Sequence, residues 1–219
     1  MIGLIRYTFA TVLHTQRYLA PLFLFAGLTG ALTVNGSGPL APAYASSAGA
    51  LLLCSTWLTV VLAGLDAPPQ RAITVVSCGG RSLRVLLAAI GTALLSCLAL
   101  TAFGLLLPLW TGDHAVTAAD LLLGVEAQLT CVLVGVAIGV PCSRPVFGRQ
   151  GYALVAALAL LTGALFAKGL SPVNRLLTLM ATTPDATALL RPVGGMLLVS
   201  VAILAVSTAV TQFVSARRG

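Results

Sequence analysis

Charge is what this sequence has least of. Charged residues fill 8% of its 219 positions, where an ordinary soluble domain carries about 25%. Five residues are acidic, two are His, and Lys168 is the sole lysine. The five carboxylates are scattered and no H-E-x-x-H occurs, which argues against a metal cluster. There is no G-x-S-x-G elbow, and His14 and His114 fall at opposite expected membrane faces, so no Ser-His pair forms easily. No Walker A sequence exists either: Lys168 stands in Phe166-Ala167-Lys168-Gly169-Leu170, so the chain is expected to be no enzyme and to hydrolyse no ATP through a P-loop of its own. Cys54, Cys97 and Cys131 lie in apolar stretches, Cys78 and Cys142 in expected loops. None pairs as C-x-x-C, which points to small apolar filler rather than zinc or a disulfide framework.

Hydrophobic residues, by contrast, make up 58% of the chain, and the mean hydropathy is +1.04. Apolar stretches of ~20 residues recur, each long enough to cross a hydrocarbon core of ~30 Å. Backbone groups in lipid must bond within their own segment, which favours helices. A barrel would show alternating segments of ~10 residues instead. The expected fold is an all-α polytopic membrane protein with six transmembrane helices in one domain, residues 1–219. The net charge of +7 would suggest nucleic acid in a soluble protein. Here its placement matters more, and no nucleic-acid partner is expected.

Residues 1–17 read as an amphipathic helix lying on the membrane, with Ile2, Ile5, Phe9, Val12 and Leu13 on one face and Arg6 and Arg17 flanking it. An extension of the first span is the alternative. The expected spans are 18–34, 44–65, 83–110, 118–140, 151–166 and 193–214. Ala43-Tyr44-Ala45 resembles a signal-peptidase site, but the preceding apolar run is longer than a typical signal-peptide core. The stretch from Asp66 to Arg84 is the one long hydrophilic interruption near the middle. A second non-spanning region, 167–192, holds the semi-apolar piece Asn174-Arg175-Leu176-Leu177-Thr178-Leu179-Met180, too short to span and too apolar for a free loop. It is expected to dip into the membrane surface.

Six spans put both ends on one side. Arg6, Arg17, Arg71, Arg81, Arg84, Arg144, Arg149, Arg217 and Arg218 then share that side, against Lys168, Arg175 and Arg191 on the other. The positive-inside rule makes the first side cytoplasmic, both termini included. Arginine outnumbers lysine eleven to one, a usage associated with GC-rich bacterial genomes, so a bacterial cytoplasmic membrane is the expected location.

Polar residues within the spans are few. Glu126 is the costliest, with Gln128 and Thr130 near it in sequence. An intramembrane ionisable group is a functional candidate, the competing reading being a hydrogen-bonded carboxyl that ties helices together. Gly135-x-x-x-Gly139 in the same span reads as a site of close helix approach.

In its order of parts the chain resembles an ABC-2-type ABC transporter permease. The local likeness is best at Leu65-Asp66-Ala67-Pro68-Pro69-Gln70-Arg71 with Gly79-Gly80-Arg81, a loop with an acidic residue, prolines and a Gly-Gly-Arg turn. Ser171-Pro172-Val173-Asn174, before the last span, is also similar. The resemblance implies a dimer with a second copy or a paralogous permease, surrounded by membrane lipids. It also implies two cytoplasmic ATPase subunits that carry the ATP and Mg, this chain having no cofactor. The 66–81 loop, with Asp66, Pro68, Pro69, Gln70, Arg71, Gly79, Gly80 and Arg81, would be the coupling helix seated on the ATPase. Pro68-Pro69 is suited to start a short helix and Gly79-Gly80 to stop it. The resemblance places a substrate path near the first, second and fifth spans, where Phe23, Phe25, Trp57, Thr162 and Phe166 offer a mostly apolar lining. The resulting expectation is the permease subunit of an exporter for a hydrophobic or amphipathic compound, peptide or lipid-linked molecule. A secondary transporter and a toxin-binding immunity protein are the alternatives.

Overall fold

The computed structural model describes residues 14, 16, 18–33, 40–64, 82–111, 116–143, 150–167, 169, 171–183 and 185–217. Seven helices form among them: α1 Leu19–Thr33, α2 Leu40–Ala63, α3 Ser82–Thr111, α4 Ala118–Gly139, α5 Gln150–Phe166, α6 Pro172–Thr182 and α7 Ala186–Arg217. Described residues include no strand. The fold is all-helical, and α2, α3, α4 and α7 are each long and apolar enough to cross a membrane. With 15 and 17 residues, α1 and α5 reach only about 22 and 25 Å at 1.5 Å per residue. The surface helix expected over 1–17 and the loop from Asp66 to Arg81 lie outside the described residues, apart from His14 and Gln16.

Local signals account for several helix ends. Thr117 caps α4: its Oγ1 accepts from the Asp120 amide at 3.3 Å, while Asp120 Oδ2 accepts from the Thr117 amide at 3.1 Å. This reciprocal pair satisfies two amides that the first turn would leave open. Asp185 does the same for α7, its Oδ1 accepting from the Thr187 amide at 3.1 Å and the Thr187 hydroxyl at 2.7 Å. The α7 helix therefore starts at Ala186, seven residues before the expected span of 193–214, and Pro192 lies inside it. About two turns in from the cap, the proline forgoes one backbone bond and does not end the helix. The semi-apolar piece at 174–180 is the body of α6. Pro172 opens that helix, where its missing N–H costs nothing.

Two helices form the centre. In α2 and α4, 72% and 61% of the most apolar window is buried, against 17% in α7. They run parallel, since Tyr44 meets Gly124, Ser47 meets Gln128, Ser55 meets Gly135 and Thr59 meets Gly139. A Cβ on Gly135 would stand 2.9 Å from the Leu52 carbonyl oxygen, and one on Gly139 would stand 2.6 Å from Thr59 Cβ. Both distances are too short for any side chain, so the G-x-x-x-G pair is where the two backbones touch.

The remaining helices wrap this pair. Along the same direction as α4 runs α7, with Glu126 beside Gly194 at one level and Ser207 Oγ donating to the Ala137 carbonyl at 2.6 Å further along. Antiparallel to α4 is α3: Gly104 faces Gln128 and Leu105 faces Gly124. Ala157 of α5 packs with Val60 and Cys142, and Leu165 near its end accepts from Asn174 Nδ2 at 2.5 Å. Leu177 of α6 in turn reaches Gly49 at the head of α2, so α5 runs back along α2. Val173, Leu176 and Met180 form the buried face of α6, against Leu40 and Tyr44 of α2 and Leu189 and Val193 of α7.

Candidate functional site

Three helices frame an open apolar groove. Leu24 and Leu28 come from α1, Trp57 and Val60 from α2, and Leu154 and Leu158 from α5, around a volume of ≈ 500 Å³. Its size falls in the range of about 300–1,000 Å³ typical of ligand clefts. Among the described residues Thr56 supplies its one hydroxyl, which is turned back to the Leu52 carbonyl at 2.9 Å. The groove is chemically a slot for hydrocarbon.

Of the five residues expected along a substrate path, Trp57 lines this groove. Phe23 and Phe166 project outward, 67% and 77% exposed. Thr162 is exposed with its hydroxyl bonded to the Leu158 carbonyl at 2.7 Å. Phe25 is fully buried and meets Phe103 edge-on, with ring centroids 6.2 Å apart. The residues that make the groove are mostly leucines, which carry no signal in a sequence where leucine is everywhere. Its position beside Trp57 is the one feature the sequence marks.

The polar residues of α4 separate by face. Glu126 points to α7, its Oε1 standing 3.7 Å from where a Cβ of Gly194 would be, and its Oε2 is buried with no hydrogen-bond partner. Gln128, two residues on, faces the other way: its Nε2 donates to Ser47 Oγ at 3.2 Å and its Oε1 is buried without a partner. Thr130 spends its hydroxyl on the Glu126 carbonyl at 2.7 Å. At 100° per residue, 126 and 128 cannot share a face, so sequence proximity misleads here. Gly104 and Gly124 make room for this layer; a Cβ on the first would sit 3.0 Å from Gln128 Nε2, and one on the second 2.9 Å from the Tyr44 ring. Tyr44 and Ser47 were not singled out in the sequence, since α2 gives no charge to draw attention to them.

Among the described residues no three His, Cys, Asp or Glu side chains gather where they could hold a metal ion. Cys54, Cys97, Cys131 and Cys142 are buried free thiols. Asp66, Pro68, Pro69, Gln70, Arg71, Gly79, Gly80 and Arg81 fall outside the described residues. No family model matches the sequence, and comparison with curated proteins and with solved structures likewise yields no match.

Proposed function

We propose that this chain is the permease subunit of an ABC-type exporter, of the ABC-2 kind, moving a hydrophobic or amphipathic compound across a bacterial cytoplasmic membrane. A separate ATPase subunit supplies the energy. The observation that carries the reading is α6. It is a short amphipathic helix set between α5 and the final helix, at the position of the membrane-dipping element that the resemblance calls for. The alternating directions of α2, α3, α4 and α5 support six traversals, with α1 and α7 as the first and last. The hydrocarbon-lined groove between α1, α2 and α5 supports an apolar cargo.

On this reading the 66–81 loop follows α2 directly, and α2 is locked to α4 along the glycine seam. A push on the loop by ATP-driven closure of two ATPase subunits is then passed to α2 and α4 as one rigid body. Packed interiors transmit displacement because they have few voids to absorb it. The groove, bounded on one side by the rigid α2 and on the other by the less buried α1 and α5, is the part that changes width.

Purification in a mild detergent tests this. The expected outcome is a nucleotide-binding ATPase retained with the chain. R71E and R81E are expected to lower ATPase activity coupled to transport several-fold while membrane insertion is unchanged. Absence of any ATPase partner, or full activity in both variants, overturns the proposal.

A further inference from the structure

A second groove lies between α3, α4 and α7. Leu94, Leu98 and Thr101 of α3, Leu129 and Leu133 of α4 and Leu197 of α7 enclose ≈ 340 Å³ with walls that are almost wholly apolar. Two features set it apart from an ordinary lipid-facing furrow. Thr101, 5% exposed, holds its Oγ1 buried with no hydrogen-bond partner, whereas most threonines in these helices, Thr92 and Thr130 among them, bond back to the preceding turn. The second feature is Glu126. It precedes Leu129 by one turn on the same face of α4, and Gly194, which it faces, precedes Leu197 by one turn on α7. Helical spacing therefore sets the carboxylate at one end of the groove. By helix rise the distance along α4 from Glu126 to Leu133 is about 10 Å.

The chemistry of that end is unbalanced. Glu126 Oε2 is buried and unpartnered. Arg191, the nearest basic residue along α7, is exposed and makes no bond to that oxygen. An ionised carboxylate away from water is costly unless a cation is brought to it. Gly194 and Gly195 keep α7 free of side chain at this level, and Gly195 meets nothing within 4 Å. Space, a carboxylate with no counter-charge among the described residues, and an apolar furrow leading away from it occur together.

We propose that this groove binds a small amphipathic cation, a single-chain amine entering from the membrane. Its ammonium group sits against Glu126 and its hydrocarbon chain lies along Leu129, Leu133 and Leu197. The site is distinct from the Trp57 groove and needs no ATPase partner, so it stands or falls independently of the transport reading.

Binding of radiolabelled decylamine to the full chain in nanodiscs of zwitterionic lipid tests it, with decanol as the neutral counterpart and empty nanodiscs as baseline. Wild type is expected to bind decylamine saturably, one per chain, and decanol no better than the empty nanodisc. E126Q keeps the shape and removes the charge, and is expected to weaken amine binding about tenfold or more, the scale of losing one partner of a desolvated charge pair. L133W fills the groove without touching the carboxylate and is expected to abolish binding, which keeps the test decisive if E126Q fails to insert. Saturable decanol binding equal to that of the amine would mean that any hydrocarbon chain, a lipid tail included, fills the groove, and would overturn the proposal. Undiminished amine affinity in E126Q or in L133W would overturn it as well.

Discussion

Gln128 is a buried amide with half of its hydrogen-bonding capacity idle. One donor reaches Ser47 at 3.2 Å, and the carbonyl oxygen has no partner. Ser47 does not depend on it, because the serine hydroxyl also donates to the Tyr44 carbonyl at 3.1 Å. Replacing a half-satisfied polar group by an apolar one of similar shape is close to neutral. Q128M is therefore expected to shift unfolding in detergent by less than about 1 kcal/mol, read by thermal denaturation. A loss well beyond that would show that the idle oxygen has a partner in the assembled protein. Asp185 gives a pH prediction outside the membrane-spanning segments. Hydrogen bonds from the Thr187 hydroxyl and amide hold its carboxyl below the usual aspartate value. On acidification the unfolded chain takes up the proton first. The cap's contribution is thus whole above the ordinary aspartate range and fades as the pH falls through the lower folded value. Amide exchange at residues 186–189 is expected to quicken over that acid window in wild type, and to show no such pH step in D185A.

At the scale of the element, the glycine seam between α2 and α4 carries the sharpest expectation. G135A would drive a methyl into Ser55 and to 2.9 Å of the Leu52 carbonyl oxygen; G139A would meet Thr59 and the Thr56 carbonyl oxygen at 3.0 Å. Backbone atoms cannot step aside as a flexible side chain can, so each substitution is expected to cost about 1–3 kcal/mol. G163A, where the added methyl meets nothing within 4 Å, is the control and is expected to leave stability unchanged or to raise it by up to about 1 kcal/mol, the helix preference of Ala over Gly. Equal melting temperatures for all three variants would show that the two helices are not held at this separation. The seam was readable as G-x-x-x-G; its partner helix was not. Small residues announce close approach, and only the packed structure says that Ser55 and Thr59 of α2 fill the space.

At the scale of the whole molecule, the exposed surface and the placement of charge bear on the topology expected from the positive-inside count. Outward-facing Tyr152, Leu198, Val206 and Phe213 of α5 and α7 are all at least half exposed. In water such a surface would aggregate, and it is suited to hydrocarbon. At the end of α7 the Arg217 guanidinium lies over the Phe213 ring, 4.3 Å from its centroid, an arrangement suited to a membrane interface. Cys142 is a poor reporter of sidedness, being 1% exposed against Val60 and Ala157. Single cysteines introduced at Arg217 and Asp185, with Cys78 changed to Ser, are better placed because both positions are exposed. The expected outcome is labelling of the 185 position from outside intact cells and of the 217 position only after the membrane is opened. The reverse pattern would invert the topology.

The sequence by itself determined the all-helical class, because runs of ~20 apolar residues with few charges admit only segments that satisfy their own backbone. It also marked the helix cores, although α7 begins seven residues before the expected span, the semi-apolar element between α5 and α7, and Glu126 as the costly group. Tertiary structure alone decided which helices are central. Hydropathy ranks α7 as high as α4, yet α4 is enclosed and α7 is mostly exposed. In a chain apolar on all sides no periodicity separates the face that meets protein from the face that meets lipid. It likewise decided that Glu126 and Gln128, two residues apart, serve opposite sides of α4. The near-uniform leucine and alanine of these helices holds no record of that choice; glycines and hydroxyls, meeting across the seam, make it.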